Sequence, residues 1–206
     1  MIIEVCAESY KYAVKAEKVG ANRIELCKDL YLDGLTPDYE TAKNTIEKLN
    51  IPIFILIRPS EGNFVYSKEE FELMKEDIVK FKEMGCKGIV SGVLNNDNTI
   101  DLNRTKELIE LSNPLEFTFH RAFDKIANPI EGMKQLINIG ANRILTSGQE
   151  DTAVQGIKLI KKLRKIADNK IVIMPGSGIK LNNINLFKKS SFSEIHGSFK
   201  KWVHKS

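Results

Sequence analysis

Phe117-Thr118-Phe119-His120-Arg121-Ala122-Phe123-Asp124 begins as an alternating strand and ends in an imidazole, a guanidinium and a carboxylate. A strand that finishes in ionisable side chains just before a turn is where parallel α/β folds place their chemistry. A histidine there, taken alone, reads as a satisfied core residue. Outward from this stretch the same ending recurs on other strands, and the recurrence changes the reading. The strand candidates are residues 2–6, 23–27, 53–57, 88–94, 116–120, 143–147, 171–174 and 194–196. Helical patterns lie between them, such as 68–84 and 152–167. In the first of these, Phe71, Met74, Ile78 and Phe81 recur at the spacing of a buried helical stripe. Ser67 followed by Glu70 makes a capping box at its start.

Eight strands joined by crossover helices imply a parallel sheet, and the number eight suggests closure into a barrel. An internal repeat supports closure. Val19-Gly20-Ala21-Asn22-Arg23-Ile24 returns as Ile139-Gly140-Ala141-Asn142-Arg143-Ile144, and Met84-Gly85-Cys86-Lys87-Gly88-Ile89 is a looser echo. The close copies precede strands two and six, half a barrel apart, a relation that a doubly wound open sheet does not predict. The first glycine of each copy suits the left-handed residue after a helix. The expectation is a single (β/α)8 TIM-type barrel over residues 1–206. Few residues follow His196, so the eighth helix is expected to be missing or rudimentary.

The bulk numbers agree with one folded domain: 206 residues, 42% hydrophobic and 28% charged. A net charge of +4 with scattered lysines argues against nucleic acid. The runs Lys161-Lys162-Leu163-Arg164-Lys165 and Phe199-Lys200-Lys201 are the densest basic segments, and the first reads as a solvated helix face. The N-terminus enters a strand pattern without a basic flank, and no apolar run approaches the roughly 18 residues of a membrane span. A cytoplasmic protein is expected, its three cysteines reduced rather than paired.

Side chains two apart on a strand share a face. One parity gives Glu4 and Cys6, then Glu25 and Cys27, then Phe54, Leu56 and Arg58, then Thr118 and His120, and last Glu194, His196 and Ser198. The other parity is apolar: Val5, Ile24, Leu26, Ile55, Ile57, Phe117 and Phe119 suit packing against helices. If the polar parity points inward, the barrel is lined with carboxylates, thiols, an arginine and two histidines. Buried charges cost several kcal/mol each unless paired, on the order of what a fold can spare. Stability does not require them; a site does.

A single buried cysteine is usually an inert small hydrophobe. Cys6 and Cys27, however, share a parity at the ends of adjacent strands about 5 Å apart, and two thiolates that close suit a soft ion such as Cu(I). Zinc finds no CxxC or HxxxH spacing. Cys86 precedes strand four and reads as packing. After strand seven, Pro175-Gly176-Ser177-Gly178-Ile179 has the character of a phosphate-binding loop, with Ser198 opposite and Ser147-Gly148 beside it. The alternative is a tight turn without a ligand, since Gly-x-Gly alone is weak. Arg58-Pro59 leads into a loop, residues 60–66, placed to fold over the barrel mouth.

Together, Glu4-Val5-Cys6, Arg23-Ile24-Glu25-Leu26-Cys27, Gly34-Leu35-Thr36-Pro37, Ile57-Arg58-Pro59, Thr118-Phe119-His120-Arg121-Ala122-Phe123-Asp124, Leu145-Thr146-Ser147-Gly148 and Pro175-Gly176-Ser177-Gly178-Ile179 closely resemble the CutC copper homeostasis family. The resemblance covers almost the whole chain in order. It implies a TIM-type barrel, a cytoplasmic homodimer or higher homo-oligomer, a role in copper tolerance, and Cu(I) held by Cys6 and Cys27. This chain departs from the family pattern at Ser60, where a second arginine is usual, at Asn63, usually Asp, and at Ser177, usually Gly.

Two functions compete on the chemistry. A Cu(I) protein uses Cys6 and Cys27 but has no need of Glu25, Arg58, His120, Arg121, Asp124 and His196. An enzyme acting on a small anionic, perhaps phosphorylated, metabolite uses them all. Arg58 would then clamp an acidic group, Glu25 or His120 would act as general base with His196 as proton partner, and Ser147, Gly148, Gly176, Ser177, Gly178 and Ser198 would hold the anion. Isomerase, lyase and metal-assisted hydrolase chemistry all fit. The inward face carries no strand-end lysine, which argues against a Schiff base. A scaffold role is the third option, and inward charges make it the weakest.

Overall fold

The structure, a computed structural model, describes residues 1–203. Strands and helices alternate throughout. The first half runs β1 (Ile2–Ala7), α1 (Tyr10–Lys18), β2 (Arg23–Leu26), α2 (Tyr39–Lys48), β3 (Ile53–Leu56), α3 (Lys68–Glu83), β4 (Gly88–Ser91) and α4 (Leu102–Ser112). The second runs β5 (Glu116–Phe119), α5 (Pro129–Asn138), β6 (Arg143–Thr146), α6 (Ile157–Ala167), β7 (Val172–Pro175), α7 (Ile184–Lys189), β8 (Glu194–Gly197) and α8 (Lys200–Val203). The sheet is parallel, with β8 returning to pair with β1. Among the described residues the ladder is continuous from β8 through β1 to β7, and β7 and β8 lie side by side. The eight strands therefore form a nearly closed TIM-type barrel, and among the described residues the eighth helix covers Lys200–Val203.

Two boundaries differ from the sequence reading by more than one residue. The sixth helix starts at Ile157, not at residue 152. Gly148 and Gly156 pack backbone to backbone: a Cβ on Gly148 would overlap Gly156 O, and one on Gly156 would overlap Ser147 O. Ala153 N donates to Ser177 O at 3.0 Å, so residues 152–156 are tied to the loop after β7 rather than wound into the helix. The fourth strand stops at Ser91, not at residue 94. Beyond it, Leu94 N donates to Phe64 O at 2.9 Å, which draws the chain to the loop after β3.

The local signals explain most elements. Helix α3 carries the full capping box: Ser67 Oγ accepts from Glu70 N at 3.1 Å, and Glu70 accepts from Ser67 N at 2.8 Å. Its stripe of Phe71, Met74, Ile78 and Phe81 is buried against the sheet. The repeat glycines Gly20, Gly85 and Gly140 have φ of +95°, +92° and +90°, the left-handed region that a side chain resists. The apolar strand parity, with Val5, Ile24, Leu26, Ile55, Ile57, Phe117 and Phe119, is buried between sheet and helices.

The other parity fills the barrel. Arg23 and Arg143, at equivalent positions of the repeat, both bind Glu194: Arg143 Nε donates to it at 2.6 Å, and Arg23 Nη2 donates to it as well. Arg23 Nε also donates to Glu4 at 2.5 Å. Both guanidinia lie against the Phe54 ring, 4.6 and 5.4 Å from its centroid. Gly88 makes room for that ring, because a Cβ there would stand 2.5 Å from it. Removing one partner from a buried pair of this kind costs about 3–5 kcal/mol, so the layer is held as a unit.

Candidate active site

Above this charged layer, at the C-terminal ends of the strands, lies a cavity of about 870 Å³. Cys6, Glu25, His196 and Leu56 form its floor. Arg58, Phe64 and His120 form one wall, and Arg121, Lys125, Ser177, Gly178, Lys180, Ser198 and Lys200 stand around the opening. Strand parity brings the floor together, since Cys6 is the register partner of Glu25 across β1 and β2.

Glu4 lies beneath the floor, fully buried, and its Oε1 is 2.7 Å from His196 Nδ1. Burial works to raise the pKa of Glu4, but the His196 hydrogen bond and the Arg23 charge outweigh it and hold the group down at about 2. His196 behaves in the opposite way. Burial disfavours its charge, yet the Glu25 and Glu4 carboxylates hold its pKa above the usual value. Burial, aided by the Glu4 charge, pushes Glu25 up. The pKa values of two carboxylates beside one imidazole are thus driven in opposite directions. Glu25 Oε1 accepts from Cys6 Sγ at 3.5 Å, while its Oε2, buried and 3.9 Å from His196 Nδ1, has no hydrogen-bond partner in the protein.

His120 is buried, and its pKa falls to about 3 through desolvation and the Arg58 charge. The ring is therefore neutral. Its Nδ1 accepts from Ala122 N at 3.3 Å, which leaves the proton on Nε2, a donor without a partner in the protein. Gly92 permits this pose, because a Cβ there would stand 2.8 Å from Nδ1. Arg58 differs from the clamp expected of it. Its Nη1 donates to Leu32 O at 2.6 Å and Gly34 O at 2.8 Å, so carbonyls of the loop after β2 occupy the outer edge of the guanidinium. Its buried Nε remains without a partner. Phe64, from the loop after β3, stacks on both groups, 4.9 Å from the His120 ring and 5.0 Å from the Arg58 guanidinium.

Of the remaining residues singled out from the sequence, Arg121, Ser177, Gly178 and Ser198 reach the cavity. Asp124, Ser147, Gly148 and Gly176 stand behind its walls. Asp124 receives Arg121 Nε at 3.0 Å, Thr146 Oγ1 at 2.5 Å, Ser147 N at 3.0 Å and Gln149 N at 3.1 Å. It latches the loops after β5 and β6 and aims Arg121. Gly176 gives space to Leu145 and His196. Sequence reasoning did not single out Phe64, Lys125 and Lys180 as site residues, because only the folded loops bring them to the opening.

The thiols are as close as the strand ends suggested: Cys6 Sγ and Cys27 Sγ are 3.4 Å apart. Their hydrogen bond and burial push the Cys6 thiol well up. Cys27 is fully buried, shares its Sγ with Ala7 O at 3.6 Å and is packed under Gly34, away from the cavity lining. As a donor set the pair suits a soft ion such as Cu(I), but the two sulfurs are closer than the roughly 4.6 Å of a linear pair of 2.3 Å metal–sulfur bonds. Among the described residues no helix is long and apolar enough to cross a membrane.

Residues 1–201 match the model of the CutC family. A protein of Photorhabdus laumondii named family protein CutC is 42% identical over 196 residues, which is 95% of this chain and 79% of that protein. Its counterpart in Proteus mirabilis is 43% identical over 196 residues, 95% of this chain and 78% of that protein. The crystal structure of CutC from Streptococcus agalactiae, which bears a copper-homeostasis name, superposes with a TM-score of 0.91 at 32% identity, covering 96% of this chain and 98% of that one. An aldolase, QR15, superposes with a TM-score of 0.70 at 13% identity over 98% of this chain and 90% of its own, a likeness of fold alone.

Proposed function

Since the chain belongs to the CutC family, whose barrel it shares, we propose that its activity resides in the mouth cavity and is enzymatic: an isomerase, lyase or hydrolase acting on a small anionic metabolite. One observation carries this reading. Glu25 Oε2, Arg58 Nε and His120 Nε2 are buried polar atoms without partners in the protein, and all three residues line the same cavity. Each unpaired buried group costs about 1–3 kcal/mol, so three together rival the whole stability of an ordinary domain, about 5–15 kcal/mol. A fold serving only stability has no use for them; a substrate that pairs them does.

The division of labour follows from the charges. His120 Nε2–H and Arg58 Nε–H are donors for a substrate oxygen, and the neutral ring donates without adding charge. Arg121, Lys125, Lys180 and Lys200 face the anionic end at the opening. The reacting group rests on the floor of Cys6, Glu25 and His196. The test is thermal stability of the protein with a panel of phosphate monoesters and carboxylates. At 100 times its Kd a ligand adds about 2.7 kcal/mol, a rise of roughly 5–10 °C for a chain of this size. At least one compound should give that rise, and His120→Asn should abolish it. A panel that leaves the melting temperature unmoved, or a rise indifferent to His120→Asn, would refute the reading.

A second reading has its own observation, the 3.4 Å approach of Cys6 and Cys27. In it the protein is a cytoplasmic, homo-oligomeric copper homeostasis protein. Cys6 and Cys27 would hold Cu(I), and the ion would supply soft-ligand storage or transfer. An anaerobic Cu(I) titration against a competing chelator separates the two: binding lost in Cys27→Ala supports copper, whereas anion binding lost in His120→Asn supports the enzyme.

A further inference from the structure

We propose that Cys6, Glu25 and His196 form a three-ligand site for a divalent transition-metal ion, zinc the best match, whose fourth side opens into the mouth cavity. The inference deepens the reading of the cavity as a reaction site by naming what its floor holds. It uses a different residue set from the thiol pair and leaves Cys27 out.

Three observations carry it. One ligand atom from each of the three residues lies within 4.8 Å of the others. In particular, Cys6 Sγ is 3.5 Å from Glu25 Oε1, the separation that bonds of about 2.3 Å to sulfur and 2.0–2.2 Å to oxygen subtend in a tetrahedron, roughly 3.5 Å. The second observation is Glu25 Oε2, buried, without a partner and 3.9 Å from His196 Nδ1. The third lies beneath the floor. Glu4 takes Nδ1 of His196 at 2.7 Å, so Nε2 is the nitrogen assigned to the ion, and Arg23 anchors Glu4 in turn. A carboxylate that fixes one nitrogen of an imidazole while the other serves a metal is the common arrangement behind ligating histidines.

The donor set selects the ion. A thiolate disfavours magnesium and calcium, which take oxygen ligands. Carboxylate and imidazole disfavour an ion that wants sulfur alone. One sulfur, one nitrogen and one oxygen suit zinc, and three protein ligands with one open side are the pattern of catalytic rather than structural zinc. All three ligands line the cavity and Cys27 does not, so the open side faces the space where His120 and Arg58 hold a substrate oxygen. Binding releases the Cys6 thiol proton to solvent, and neither metal nor sulfur changes oxidation state.

The test is an anaerobic titration of the reduced full chain with Co²⁺, followed by displacement with Zn²⁺, read by thiolate-to-cobalt charge-transfer absorption. Wild type should give the band at one equivalent and lose it to zinc. Cys6→Ser should abolish the band, Glu25→Gln should weaken binding at least about 100-fold, and Glu4→Gln about 10-fold, as for a positioning residue. Cys27→Ala should bind like wild type. If Cys6→Ser fails to fold, Glu25→Gln reads the same site at unchanged volume. The absence of a one-equivalent band, or a band lost equally in Cys27→Ala, would overturn the proposal. Anion-induced stabilisation measured on metal-free protein fails or survives separately, so the metal and the metabolite readings fall independently.

Discussion

At the scale of single residues, the two cavity histidines are opposites, and burial alone does not decide between them. His120 is buried beside Arg58 and stays neutral, its pKa near 3. It should show no change of charge between pH 5 and 8 by side-chain NMR, and should report the Nε2–H tautomer. His196 is buried beside Glu4 and Glu25 and is raised. Its contribution to stability is present below its unfolded value of about 6.5 and is lost as pH climbs through the higher folded value. Glu4 has the reverse sign. Held at about 2 in the fold against 4.5 when unfolded, it stabilises the protein above pH 4.5, and that stability drains as pH falls towards 2. Urea unfolding should therefore show wild type losing stability between pH 5 and 3 more steeply than Glu4→Gln. Equal slopes would mean that the Glu4 carboxylate is not held by His196 and Arg23.

The residues also mark the limit of sequence reading. A period of two puts Glu4, Glu25, His120 and His196 on the polar face of their strands, and the barrel turns that face inward. The same rule cannot tell Asp124 from a catalytic acid. Its carboxylate is used up by Thr146, Ser147 and Gln149, which arrive from a different strand end. Arg58 is similar: its outer edge is occupied by carbonyls of residues 32 and 34, groups that carry no signal in sequence.

At the scale of elements, glycine decides where strands and helices approach. Gly140→Ala forces a side chain into φ of +90° and should cost about 1–2 kcal/mol. Gly88→Ala drives a Cβ against the Phe54 ring and through it into Arg23 and Arg143, and overpacking of this kind costs about 1–3 kcal/mol. Both are read as shifts in the urea midpoint, with Gly88→Ala also disturbing the floor above it. A Gly88→Ala variant as stable as wild type would show that Phe54 is free to move inside the barrel. The helices were legible from stripes and caps. The start of α6 was not, because the hydrogen bond of Ala153 N to Ser177 O that holds residues 152–156 out of the helix is long-range in sequence.

At the scale of the whole molecule, the barrel separates two jobs along its axis. Its lower layer, Arg23, Glu194 and Arg143, closes on itself, each charge paired with another. Arg143→Met leaves Glu194 short of a partner and should cost about 3–5 kcal/mol while leaving ligand binding at the mouth intact. The upper layer is the reverse: Glu25, Arg58 and His120 line a cavity, and each holds a buried polar atom without a hydrogen-bond partner in the protein. The repeat of Gly-Ala-Asn-Arg sets Arg23 and Arg143 half a barrel apart in sequence and argued for closure, but that both arginines meet on Glu194 emerges only in the fold.

That the mouth cavity, rather than the thiol pair, is the working site is tested most directly by side-chain NMR of the histidines, of which the chain has three. Spectra would be recorded with and without the most stabilising anionic compound from the thermal panel. The account predicts that the His120 Nε2 signal moves on binding as its proton finds an acceptor, with His196 responding in the floor. A compound that binds while both signals stay where they are would place it elsewhere and contradict the account.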